Sequence, residues 1–157
     1  MKLQGVDRSR VMFPPPLLHL ATLIAGLGLH FAFPQSFLPD TWMQLVTGLP
    51  FIGISIALVK WASRTMKQAG TDANPYNPST AIVVDGPFRF SCNPMYLSFT
   101  ALYIGIAFAV DALWPFVLLP IALVGISLGV IKREERYLEQ KFGQDYLRYK
   151  VRVRQWI

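Results

Sequence analysis

Residues 113–131 read Leu-Trp-Pro-Phe-Val-Leu-Leu-Pro-Ile-Ala-Leu-Val-Gly-Ile-Ser-Leu-Gly-Val-Ile. They are followed at 132–142 by Lys-Arg-Glu-Glu-Arg-Tyr-Leu-Glu-Gln-Lys-Phe. The first run has no ionisable side chain. As a helix rising about 1.5 Å per residue it is roughly 28 Å long, close to the ~30 Å of a bilayer hydrocarbon core. The abrupt change to a charged run at Lys132 marks where such a span meets water. Working upstream, residues 94–110 form a second apolar run, separated from the first by a turn around Asp111. So short a link predicts an antiparallel helical hairpin. Two further runs, 17–33 and 42–61, complete the set, and the expected fold is all-α: a polytopic membrane protein with about four transmembrane helices.

The bulk composition agrees. The chain has 157 residues, enough for one domain, here taken as residues 1–157. It is 53% hydrophobic and 15% charged, against about 25% charged in an ordinary soluble domain. Mean hydropathy is +0.38. Cys92 is the single cysteine and His19 and His30 the two histidines; this excludes a disulfide scaffold, and no metal site is expected. Pro14, Pro15 and Pro16 precede the first run and no small-residue cleavage site clearly follows it, so it reads as a retained helix rather than a signal peptide.

The net charge of +6 and pI near 9.7 raise the question of nucleic acid, which the placement of the charge answers. Lys2, Arg8 and Arg10 precede the first span. Lys60, Arg64, Lys67 and Arg89 lie at or between the second and third, and eight more, from Lys132 to Arg154, follow the fourth. The connections at 34–41 and around Asp111 contain no Lys or Arg. By the positive-inside rule both termini and the central loop are expected in the cytoplasm. The basic pI then reflects topology and contact with anionic lipid, not nucleic acid. Trp42, Trp61 and Trp114 fall at expected boundaries. Ala101-xxx-Gly105 and Gly125-xxx-Gly129 offer small residues for close helix approach, and Pro120 is expected to kink the fourth span or open its hydrogen-bond ladder.

The chemistry should lie in the cytoplasmic pieces, residues 70–98 and 132–153. The loop contains a β-like Ala81-Ile82-Val83-Val84 run and the turn former Asp85-Gly86-Pro87. It ends in Asn93-Pro94, which fits a helix start with Asn93 as N-cap and Pro94 at the first helical position. The positive end of that helix suits a carboxylate or phosphate, or is simply an ordinary capped terminus. In the tail, Leu138 and Phe142 lie one turn apart, Gly143 can end the helix, and Tyr146 and Tyr149 continue an aromatic face expected to pack on the loop or the membrane surface. Glu134 and Glu135, taken alone, read as a charge run on a solvated face.

Together these pieces resemble the integral membrane methyltransferases related to isoprenylcysteine carboxyl methyltransferase and phosphatidylethanolamine methyltransferase. The residues that carry the resemblance are Gly86-Pro87-Phe88-Arg89-Phe90, then Cys92-Asn93-Pro94-Met95-Tyr96-Leu97-Ser98, then Glu134-Glu135, then Phe142-Gly143-Gln144-Asp145-Tyr146 with Tyr149. The resemblance implies an enzyme that takes S-adenosyl-L-methionine from the cytosol, methylates a lipidic or small amphiphilic acceptor from the bilayer, and releases S-adenosyl-L-homocysteine. Carried over by position, it implies cofactor contacts at Ala81, Ile82, Val83, Phe88, Asn93, Pro94, Met95, Tyr96 and Glu134. Tyr96, Glu134 and Glu135 are the implied catalytic group, and the implied partners are membrane lipids and the acceptor.

Three positions depart from the family pattern. Its Arg-His pair is Cys92-Asn93 here, its closing Gly is Ser98, and the place one turn before the first Glu, where eukaryotic carboxyl methyltransferases carry an Arg for the substrate carboxylate, is Val130. With no Arg at 92 or 130, a neutral or cationic acceptor such as an amine or thiol is expected over a carboxylate. Loss of the motif Arg also leaves room for a second reading, a catalytically decayed, cofactor-binding assembly subunit. A small four-helix transporter is disfavoured, because no span carries a Lys, Arg, Glu or Asp at its centre.

Overall fold

The computed structural model describes residues 14–72 and 77–156. The basic residues at positions 2, 8 and 10, and residues 73–76 of the loop that follows the second apolar run, lie outside them. Among the described residues the secondary structure is entirely helical. Six helices occur in order: α1 Pro15–Ala32, α2 Thr41–Gln68, α3 Pro94–Ala109, α4 Leu113–Ile126, α5 Lys132–Phe142 and α6 Gln144–Arg152. A single 3-10 turn covers Gly86–Arg89, and a π turn, Ser127–Ile131, joins α4 to α5.

The helix limits follow local chemistry. Proline occupies the first turn of α1 and of α3, where its missing N–H costs nothing. Asp40 caps α2, its carboxylate accepting from Met43 N at 2.8 Å. Two stretches, Thr41–Gln68 and Leu113–Phe142, are long and apolar enough to cross a membrane, whereas Pro16–Ala32 and Pro94–Ala109 are shorter apolar helices. Their outward faces are apolar: Leu20, Ile24, Val46, Ile54, Ile121 and Val124 are all more than half exposed. Such a continuous exposed band is what lipid covers and water does not.

α2 and α3 form the most extensive helix pair, and α1 packs on α4 and α3. The α2–α3 approach depends on glycine. A Cβ at Gly48 would come within 2.7 Å of the Gly105 carbonyl oxygen and 2.9 Å of Ala109 N. The expected close contact at Gly105 therefore exists, and its partner is Gly48.

The hairpin turn between α3 and α4 is centred on Asp111, which is buried with φ +55°. Its Oδ1 accepts from Phe37 N and Leu38 N, each at 3.0 Å, which pins the α1–α2 loop beneath the hairpin. Trp114 adds an indole bond to the Phe33 carbonyl at 2.8 Å.

One expectation needs correction. The Ala81–Val84 run forms no strand: Ala81 is a bend and residues 82–84 have no regular secondary structure. Pro120 lies inside α4 and supplies no N–H to its ladder, and a second irregularity, a π turn, falls at Ser127–Ile131. An extra residue per turn there rotates all that follows by about 100° about the axis. The face that α5 presents is accordingly not the one extrapolated from α4.

Candidate functional site

The loop after α2 is folded back on itself before it reaches α3. Thr80 Oγ1 donates to the Gly70 carbonyl at 2.6 Å, Thr80 N donates to Thr71 Oγ1 at 3.2 Å, and Ser79 N donates to the Tyr137 hydroxyl at 3.2 Å. These bonds hold the extended residues 81–84 near α5. Gly86, at φ +58°, then turns the chain tightly against α2, where a Cβ would sit 2.6 Å from Thr65 Oγ1 and 3.0 Å from Trp61 Nε1. The turn sends Phe88 inward to pack with Ala62, Tyr146 and Tyr149, and the Tyr149 hydroxyl donates to the Phe88 carbonyl at 2.7 Å.

The tail encloses the same place from the other side. Gly143, at φ +56°, separates α5 from α6. After α6, residues 153–156 run along residues 91–93: Cys92 N donates to the Arg154 carbonyl at 3.0 Å, Cys92 Sγ to the Val153 carbonyl at 3.2 Å, and Asn93 Nδ2 to the Gln155 carbonyl at 3.0 Å. Trp156 ends the strap against Tyr96, Ile126, Val130 and Ile131. Asn93 does stand at the N-cap position of α3, but its side chain makes no capping bond.

Between loop and tail lies a cleft of about 580 Å³, part of it open to solvent. Ala81, Ile82, Val83, Phe88, Asn93, Glu134 and Glu135 line it. Pro94, Met95 and Tyr96 do not. Pro94 is fully buried in the start of α3, Met95 packs with the Phe88 cluster, and Tyr96 packs among Ile126, Val130 and Ile131. Tyr96 reaches the site only through its hydroxyl, which donates to Glu134 Oε2 at 2.6 Å. Met66, Thr71 and Ser79 also line the cleft, brought there by the folded loop and the end of α2. No residue type or spacing marked them in the sequence.

The two adjacent glutamates differ. Glu135 is buried and paired, its Oε2 2.7 Å from Lys150 Nζ and its Oε1 accepting from Gln155 Nε2 at 3.3 Å. The ion pairs of the described residues do not include Glu134. Desolvation pushes the Glu134 carboxyl above the ordinary carboxylate range; the Tyr96 bond pulls part of that rise back, and Glu135 alongside adds to it. Burial likewise raises the Cys92 thiol and the phenols of Tyr146 and Tyr149, so these groups stay neutral and supply no counter-charge. The arrangement is an apolar slot of loop residues beside one carboxylate that has no cationic partner among the described residues. No cluster of His, Cys, Asp or Glu with metal-binding arrangement occurs among the described residues.

A bundle of apolar helices with a cleft built by its polar loop and tail defines a membrane-associated class of protein, and the comparisons specify it. A family model for phospholipid methyltransferases matches residues 43–145, from the first turn of α2 into α6. The chain belongs to the phospholipid methyltransferase family, a family of membrane methyltransferases. An uncharacterized protein of Haemophilus influenzae is 51% identical over 37 residues, covering 24% of this chain and 59% of that protein. The chain thus spans about three fifths of the length of the curated relative it matches. No solved structure matches it.

Proposed function

We propose that this chain is an S-adenosyl-L-methionine-dependent methyltransferase that works at the cytoplasmic membrane face on a lipidic or small amphiphilic acceptor, in the manner of isoprenylcysteine carboxyl methyltransferase. One observation carries the reading: Glu134, which forms no ion pair among the described residues, lines one cleft together with the apolar side chains of Ile82, Val83 and Phe88. A nucleoside needs apolar walls, and an ammonium group needs a carboxylate in a poorly solvated place. Ala81, Ile82, Val83 and Phe88 would hold the adenosine part. Glu134 would take the ammonium, and Asn93 at the start of α3 would lie beside the donor's carboxylate. When bound, S-adenosylmethionine supplies a sulfonium methyl for in-line displacement and leaves as S-adenosylhomocysteine. The protein's part is to align the reactants and exclude water.

In this reading α1 to α4 are four spans, with the last ending near Ile131. Both termini and the cleft then face the cytoplasm, and membrane lipids surround the rest. Reporter fusions after Ser36 and Ile157 are expected to report opposite sides of the membrane, and same-side readings would sink the topology.

The acceptor is proposed to be neutral or cationic, because positions 92 and 130 carry Cys and Val. The assay is isotope-labelled S-adenosylmethionine incubated with the purified protein and native lipid extract. Transfer of label to a lipid-soluble product supports the enzyme. Tight donor binding without transfer favours the decayed, assembly-subunit reading, for which Cys92 in place of Arg is the motivating observation. If only a free carboxylate is methylated when a farnesylated cysteine analogue is compared with its amide, with long-chain amines and with thiols, the acceptor argument is wrong.

A further inference from the structure

Lys150 lies in α6, just beyond the motif residues that carry the family resemblance. Its Nζ is 2.7 Å from Glu135 Oε2 and 2.8 Å from Glu139 Oε1. These bonds hold the ammonium in its charged form more firmly than usual, the Glu135 bond contributing most. Glu135 is buried and lines the same cleft as Glu134.

Two adjacent carboxylates in one desolvated cleft repel, and a cation beside one of them lowers the cost of a charge on the other. The other groups packed around the pair offer little relief. Tyr96 comes from α3, Cys92 from the loop, and Tyr146 and Tyr149 from α6, all uncharged; Glu139 on α5 adds negative charge. Lys132, Arg133 and Arg136 of α5 are exposed, where solvent screens them.

We infer that Lys150 is a positioning residue that sets the charge of the cleft: shared between Glu135 and Glu139, it offsets the charge of Glu135, so that of the two glutamates lining the cleft Glu134 is the one left to a ligand bearing a single cationic end. The same contact ties α6 to α5, and Gln155 on Glu135 extends the tie to the strap along residues 91–93. The choice of ligand rests on the donor reading above; the charge-setting role does not.

The test follows the protonated-carboxyl infrared band during pH titration of the ligand-free protein in detergent, with Glu134→Gln assigning the Glu134 component. Wild type, Lys150→Met, Lys150→Arg and the double variant Glu135→Gln/Lys150→Met are compared. Lys150→Met is expected to raise the Glu134 midpoint by about one pH unit, since it removes a cation and unmasks a like charge. Lys150→Arg and the double variant are expected to stay within a few tenths of wild type. A purely structural role would lower stability without this pattern. An unmoved midpoint in Lys150→Met, or a full-unit shift in Lys150→Arg or the double variant, overturns the inference. Where Lys150→Met fails to fold, Lys150→Gln takes its place: the same rise of about one pH unit is expected, and an unmoved midpoint overturns the inference. Calorimetry with S-adenosylmethionine on the same samples keeps the two ideas apart. If wild type does not bind the donor at any pH while the infrared pattern holds, the donor reading falls and the role of Lys150 stands.

Discussion

The Tyr96 hydroxyl donates a 2.6 Å hydrogen bond to Glu134 Oε2 across a separation of 38 residues, joining the first turn of α3 to the first turn of α5. It is the direct side-chain link between the helix start at Asn93-Pro94 and the Glu-Glu pair, the two motifs that sequence places far apart. Tyr96 does not line the cleft, so it acts on a ligand through the carboxylate it orients.

Tyr96→Phe keeps the ring and removes that bond. Loss of a hydrogen bond to a charged group costs about 1.5–3 kcal/mol, so S-adenosylmethionine affinity is expected to fall by roughly tenfold or more. Calorimetry measures it. A variant with wild-type affinity would show that Glu134 is held by something else.

The raised Glu134 carboxyl gives donor binding a pH dependence with a definite sign. Only the deprotonated form attracts an ammonium, so below the raised midpoint the donor must displace a proton. Affinity therefore climbs as pH rises toward that midpoint, by up to about tenfold per unit, and levels off above it. Glu134→Gln is expected to bind more weakly and to lose this acid limb. An acid limb that survives in the variant would assign the titration to another group.

Gly48→Ala places a Cβ against the backbone of α3, where the Gly105 carbonyl and Ala109 N cannot move independently of their helix. The expected cost is about 1–3 kcal/mol, typical of overpacking. Unfolding in mixed detergent micelles reads it. Gly53→Ala on the same helix meets no atom within 4 Å and serves as the neutral comparison.

Asp111→Ala leaves the Phe37 and Leu38 amides without their shared acceptor and removes a side chain suited to positive φ. A loss of about 1–3 kcal/mol is expected. Asp111→Asn should recover most of it, because an amide oxygen accepts the same bonds and Asn tolerates the left-handed region. Equal loss in both variants would mean that the charge matters rather than the acceptor.

The helices were legible because apolar run length and proline at a helix start are local properties, readable at 94–109 as well as at 113–131. The tail break was legible at Gly143 for the same reason. Less was legible where a side chain finds its partner far away in sequence. Asn93 has the composition and position of a cap, yet the Gln155 carbonyl, 62 residues away, takes its side-chain amide. The π turn at Ser127–Ile131 falls in a run with no single-residue signature.

From sequence alone, then, came the set of apolar helices and the two polar segments that build the cleft, since burial of apolar surface and charge placement act residue by residue. The roles of the two glutamates were undecidable at that level: Glu134 and Glu135 are neighbours of identical type. Only the tertiary structure separates them. The path of the chain brings Tyr96 to one and Lys150 to the other, and in a poorly solvated cleft such a partner determines which carboxylate remains available to a ligand.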